Sequence, residues 1–225
     1  MKKISVFTLV AAVSLAFSSC SNEETTTLEN NSFSLLKTYQ IKRDATGAYS
    51  IDFDVENNTK VDKYSDGNNN EFLLSSAKIA QTEKSISQDL IIDNNNLEVS
   101  FVDANTNQKS FISISDDNII LQRKGNDTKL ASYSVTGNQD GTYNLFFDVK
   151  DNVDVSFVYN ESINTYEVHL EDGAGGEISY SRTLEKEEGK PLKIDFVNYI
   201  SNPNAKSAEL EMIRKPKVII DSFVD

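Results

Sequence analysis

Apolar and polar residues alternate along most of this chain in short runs, separated by clusters of Asn, Asp and Gly. The clearest run sets Tyr49, Ile51, Phe53 and Val55 against Ser50, Asp52, Asp54 and Glu56. A second sets Tyr143, Leu145, Phe147 and Val149 against Asn144, Phe146, Asp148 and Lys150. A period of two places successive side chains on opposite faces, so each run predicts a half-buried antiparallel strand. In the first half of the chain the strands fall near 35–42, 47–55, 59–64, 71–80, 85–92, 97–103, 109–115 and 117–122. The short spacers between them favour an up-and-down antiparallel meander.

The two clearest runs are copies of one another. A shift of 94 residues aligns LLKTYQIKRDATGAYSIDFDVENN with KLASYSVTGNQDGTYNLFFDVKDN. It matches Leu36 with Leu130, Tyr39 with Tyr133, Gly47 with Gly141, Tyr49 with Tyr143, Phe53 with Phe147, Asp54 with Asp148, Val55 with Val149 and Asn58 with Asn152. The match continues through ISQDL from Ile86 and YSRTL from Tyr180, then LEVSFVD from Leu97 and LKIDFVN from Leu192. Lys109-Ser110 aligns with Lys206-Ser207 at a slightly larger shift. The chain therefore carries an internal repeat. The copies inform one another. The segment EFLLSSAKIAQTE after Asn70 could be read as a helix, but its counterpart TYEVHLED alternates, so residues 71–74 read as strand; 204–215 reads as strand because its counterpart SFISIS does. Asn57-Asn58 and Asp151-Asn152 occupy the same expected hairpin tip, where Asn and Asp tolerate the positive φ of a tight turn. The expected fold is all-β, in tandem antiparallel meander units. They form either two small barrels or sandwiches, or one long curved sheet. The units span 34–125 and 126–225.

Composition narrows the function classes. The 225 residues carry 22 Lys and Arg against 35 Asp and Glu, a formal net charge of −13, with one Cys, one His and no Trp. This balance argues against nucleic acid as a partner. One Cys cannot form an internal disulfide or a Cys-based metal site, and one His cannot build a multi-His site.

That Cys has a telling position. Lys2 and Lys3 precede an apolar run from Ile4 to Phe17, which at about 14 residues suits a signal-peptide core rather than a membrane span. The run ends in Phe17-Ser18-Ser19-Cys20. This resembles the lipobox of a bacterial lipoprotein, in the looser form of Bacteroidota-type lipoproteins, with Phe17 where Leu is usual. Ser21-Asn22-Glu23-Glu24 is similar to the acidic signal that exports such lipoproteins to the outer face of the outer membrane, with Asn22 where an acid is common. The resemblance implies a leader over 1–19, a lipidated Cys20, and a membrane partner reached through acyl chains worth about 0.8 kcal/mol per buried methylene. Losing Lys2 and Lys3 with the leader takes the net charge from −13 to −15. Residues 20–33 are polar and acidic, so they read as a tether reaching about 45 Å when extended.

No constellation of catalytic residues stands out. His169 lies on the polar side of its run, opposite Val168 and Leu170, and reads as a solvated surface residue, with Ser75 as its counterpart. There is no G-x-S-x-G elbow, and Gly173-Ala174-Gly175-Gly176 lacks the Lys and helix of a phosphate loop. The carboxylates Asp52 and Asp54, or Glu167 and Glu171, could serve a glycosidase, but nothing in their spacing selects them. Asp54 and Asp148 recur in both copies and suit a strand end or hairpin, bonding a backbone donor or a neighbouring side chain. The run from Asp66 to Glu71 alternates oxygen ligands as calcium loops do, yet lacks their Gly and final Glu, so no metal or cofactor is assigned. Tyr39, Tyr49, Tyr133 and Tyr143 are in phase with the core rather than placed as sugar platforms. Phe146 falls on the polar face, where it reads as an isolated exposed aromatic, unless a second unit, a partner or a ligand covers it. The expected function is a non-enzymatic binding or interaction module with a protein or glycan ligand. A structural subunit of an outer-membrane complex and a carboxylate-based hydrolase are the alternatives. Matching loops supply the candidate ligand residues, Asp66, Asn68 and Asn70 in one copy, and Ser162 and Asn164 in the other.

Overall fold

The computed structural model describes residues 35–77, 85–117, 129–201 and 210–224. Cys20, Ser21, Asn22, Glu23 and Glu24 lie outside them. The described chain is all-β, with no helix. The first unit supplies β1 (Leu36–Arg43), β2 (Tyr49–Val55), β3 (Thr59–Asp66), β4 (Asn69–Ser76), β5 (Ser85–Leu90), β6 (Asn96–Asp103) and β7 (Gln108–Ser115). The second supplies β8 (Leu130–Asn138), β9 (Thr142–Val149), β10 (Val153–Asn160), β11 (Thr165–Asp172), β12 (Ser179–Glu185), β13 (Leu192–Ser201) and β14 (Leu210–Val224). Residues 210–215 are strand, as the repeat implied, while 202–209 lie outside the described residues, as do most of 117–122.

The strands form a six-stranded sheet, ordered β12-β9-β8-β1-β2-β5, and an eight-stranded sheet, ordered β10-β11-β13-β14-β7-β6-β4-β3. Neither is closed into a barrel. Each hairpin is apolar on one face only, as the alternating burial of β2 shows. Successive hairpins therefore enter opposite sheets and cover each other's apolar faces. This departs from a simple meander. The turns at Asn58 (φ 63°) and Asn152 (φ 60°) take the expected left-handed conformation. They are not hairpin tips, however: each is a corner carrying the chain from one sheet to the other. The returns through β5 and β12 make β4·β6 and β11·β13 parallel pairs.

The two units share both sheets. β1 pairs antiparallel with β8 in one, and β7 with β14 in the other. Exchanging the units reverses the strand order of each sheet onto itself, which is an internal two-fold relation. The registers obey it. Ile41 pairs with its own repeat equivalent Val135, and Tyr39↔Gly137 mirrors Arg43↔Tyr133. Leu97 pairs with Ile114 as Leu192 pairs with Ile220, so Ile114 corresponds to Ile220. The alignment of Lys109-Ser110 with Lys206-Ser207 is thereby corrected: the connection between β13 and β14 is longer than that between β6 and β7.

One hydrophobic core runs through both units. Phe101 of the eight-stranded sheet meets Tyr39 and Phe53 of the other, at ring separations of 5.6 and 5.0 Å. Its repeat equivalent Phe196 meets Tyr133 and Phe147 at 5.1 and 5.8 Å. Tyr39, Tyr49, Tyr133 and Tyr143 are all buried, in keeping with their core phase.

Candidate functional site

The two loops singled out in the sequence are the turns of the β3–β4 and β10–β11 hairpins, at opposite margins of the eight-stranded sheet. Six strand spacings, about 29 Å, separate them. In the first, Asp66 pairs with Asn69 across the two-residue turn Gly67-Asn68. Asn70 is buried; its Oδ1 accepts a bond from Ser65 Oγ (3.1 Å) and its Nδ2 donates to the Asn68 carbonyl (3.4 Å). Asn70 thus folds into its own turn. In the second, Ser162 Oγ donates to Asn160 Oδ1 (2.7 Å), while Asn164, at φ 50°, presents Oδ1 to the Tyr159 hydroxyl (2.5 Å).

Tyr159 belongs to a group that sequence reasoning missed. On β10, Val155, Phe157 and Tyr159 face the gap between the sheets at the second unit's margin. Phe157 stacks with Tyr166 of β11 (5.8 Å), and Tyr159 packs against Tyr166 at a tilt (4.8 Å). The Arg182 guanidinium of β12 stands 5.8 Å from the Phe157 ring centre, within cation–π range. Tyr180 of β12 stacks on Phe147 at 5.0 Å. The Tyr166 hydroxyl donates to the Glu185 carbonyl (3.1 Å) and accepts from the Glu185 amide (3.2 Å), tying the two sheets together at their edge. The Tyr159 hydroxyl also stands 3.0 Å from Glu187 Oε1.

The first unit acts as an internal control. By register, Phe157, Tyr159, Tyr166, Tyr180 and Arg182 correspond to Lys63, Ser65, Asn70, Ile86 and Gln88. The same architecture therefore forms without the aromatic group. Two residues of extra turn, Glu161–Asn164 against Gly67-Asn68, move the correspondence along β11, so His169 matches Leu73 rather than Ser75.

His169 is not solvated as the sequence suggested. Its side chain is only 15% exposed. Nδ1 lies 2.7 Å from the Tyr199 hydroxyl, Nε2 lies 3.1 Å from Glu167 Oε2, and the ring stacks on Tyr199. Long side chains from β13 and β14 fold over this outer face and cover it. Glu167 also binds Arg214 and accepts from Asn160 Nδ2 (3.2 Å). Asp195, beside Glu167 in the parallel ladder, lies 3.8 Å from Arg214 and 3.6 Å from Lys217.

The two carboxyls are pushed apart. Burial raises Glu167, but Arg214, Asn160 and His169 outweigh it and hold the group below its ordinary range. Burial dominates at Asp195 and leaves it raised, against the pull of Lys217 and Arg214. A lowered carboxyl supplies stability above its unfolded pKa and loses it as pH falls; a raised one recovers stability as it protonates. In urea unfolding, the contribution of Glu167 should therefore fall below about pH 5, while that of Asp195 rises. Glu167→Gln is expected to cost about 2 kcal/mol at pH 7, and progressively less as pH falls through the acid range. A cost independent of pH would show that these partners do not hold Glu167 as a carboxylate.

The outer face of the six-stranded sheet holds short polar side chains. Ser85 Oγ donates to Asp54 (2.5 Å), as Ser179 Oγ does to Asp148 (2.7 Å), so the recurring aspartate does bind a neighbouring side chain. Phe146 sits there between Ser134 and Ser181, 47% exposed, and the other unit does not cover it. Among the described residues no cluster of three or more His, Cys, Asp or Glu is arranged to hold a metal ion. No protein-family model, curated protein or solved structure matches the chain.

Proposed function

We propose that the protein is a lipid-anchored, surface-exposed lipoprotein acting as a non-enzymatic interaction module, with the margin of its second unit as the binding surface. The observation that carries this is the difference between the copies: Phe157, Tyr159, Tyr166, Tyr180 and Arg182 stand where the first unit folds with Lys63, Ser65, Asn70, Ile86 and Gln88. Aromatic rings and Arg supply much of the energy at interfaces. The nearby loop of Ser162 and Asn164 joins the same surface through Tyr159. Cys20 and the acidic tether would hold this surface away from the outer membrane.

Glu167 and Asp195 favour a second reading, a carboxylate-based hydrolase, because their environments push the two groups apart. Both carboxylates are engaged by Arg214, and Asp195 by Lys217 as well, which makes binding the better supported reading. Mass spectrometry of the protein from its native envelope should find an acylated Cys20 at the mature N-terminus. A chain beginning elsewhere, or an unmodified Cys20, would contradict the anchor.

A further inference from the structure

We propose that β10 is a strand-addition site that takes up an extended polypeptide segment of alternating apolar and basic residues. The inference rests on the reading of the second unit's margin as a binding surface, and names the partner's chemistry.

β10 and β3 end the eight-stranded sheet on opposite sides, and among the described residues no strand pairs with the outer edge of either. An unpaired edge offers a row of backbone donors and acceptors, and proteins ordinarily blunt it with charge. β3 follows that rule: TKVDKYSD carries Lys60, Asp62, Lys63 and Asp66. Its equivalent β10 does not: VDVSFVYN carries only Asp154. β10 pairs with β11 over all eight residues without a register shift, so no bulge twists the edge away. Val158 is 46% exposed and Tyr159 36%.

The unpaired groups can be assigned. Gly173 N–H donates to the Asn152 carbonyl (3.0 Å), which makes 152 and 173 a hydrogen-bonded pair. Antiparallel ladders alternate, so the even-numbered residues of β10 bond to β11. The N–H and C=O groups of Val155, Phe157 and Tyr159 therefore point outward. Their side chains form the aromatic side of the margin, so an added strand would meet backbone partners and an apolar platform together. An incoming apolar residue opposite Phe157 would lie beside the rings, and its neighbours would face the opposite side, by Asp154. Charge selects the rest: with a net charge of −13, and exposed Asp154 and Glu161 at this edge, a basic segment is attracted and a second copy of the chain is repelled. This is recognition by β-augmentation, with main-chain bonds for affinity and alternate side chains for specificity.

The probe is an acetylated, amidated octapeptide of alternating Lys and Val, added to the full mature chain carrying Cys20→Ala. Amide exchange should slow at Val155, Phe157 and Tyr159, and not at Val61, Lys63 and Ser65, the matching outward groups of β3. N-methylation of the peptide's valines keeps its charge but removes the donors, and should weaken binding about tenfold or more, as the loss of several backbone bonds requires. Val155→Pro removes an outward N–H that β11 does not use, and should weaken binding comparably; Val61→Pro should leave it unchanged. Equal protection of both edges, unchanged binding of the N-methylated peptide, or protection already present in the free chain would overturn strand addition. So would a partner captured at this margin without amide protection, an outcome that would still leave the interaction-module reading standing.

Discussion

Arg43→Met should destabilise the protein by about 3–5 kcal/mol, because it strands a buried carboxylate. The Arg43 and Asp116 side chains are 5% and 2% exposed, with Nε 2.8 Å from Oδ2. The Tyr49 hydroxyl donates to the same Asp116 oxygen (2.9 Å) and lies 3.3 Å from the Tyr133 hydroxyl. Burial acts to lower the Arg43 pKa, and Asp116 overcomes it, so the guanidinium stays charged inside the fold. Breaking a buried pair costs far more than replacing both members with apolar residues. Adding Asp116→Leu should therefore recover a large part of the loss, read as urea midpoints. A single-variant cost below about 1 kcal/mol would place the pair in solvent, contrary to its burial.

Gly137→Ala is expected to cost about 3 kcal/mol, at the upper end for an added methyl group in a packed core. Gly137 is the repeat equivalent of Arg43, on the other side of the internal two-fold, and it pairs with Tyr39 as Arg43 pairs with Tyr133. A Cβ on Gly137 would stand 2.6 Å from Tyr39 Cε1 and Cζ and 2.9 Å from its hydroxyl oxygen. The ring is buried against Phe101 and has little room to swing away. Tyr39→Leu removes the atoms that clash, so the double variant should lose clearly less than the sum of the single changes. Strict additivity would show that Tyr39 is not the obstacle. The two positions show how duplication diverged, with one end of the shared seam filled by an ion pair and the other by a tyrosine laid over glycine.

The strands were legible because period-two alternation needs only neighbouring residues. The run from Tyr49 to Val55 and its copy fall inside β2 and β9. The repeat was legible for the same reason, and the left-handed Asn58 and Asn152 followed from turn chemistry. Alternation shows which side chains are inward but not which sheet receives a hairpin. The crossings at 57–58 and 151–152 therefore looked like hairpin tips. His169 was misread because Tyr199 and Arg214, which cover it, are distant in sequence. The aromatic margin did leave a signal. Phe157 and Tyr159 against Lys63 and Ser65 is a contrast between copies, visible once they are compared for difference as well as likeness.

In the proposed function the second unit's margin meets a partner and its duplicate does not. This is tested by placing a photo-crosslinking residue at Val158 or at its repeat equivalent Tyr64 in the native envelope. Both positions are exposed, at 46% and 57%, so accessibility alone does not separate them. A discrete adduct is expected from position 158, reduced by Phe157→Lys, and none from position 64. Equal adducts from both positions, or an adduct from position 64 alone, would contradict it.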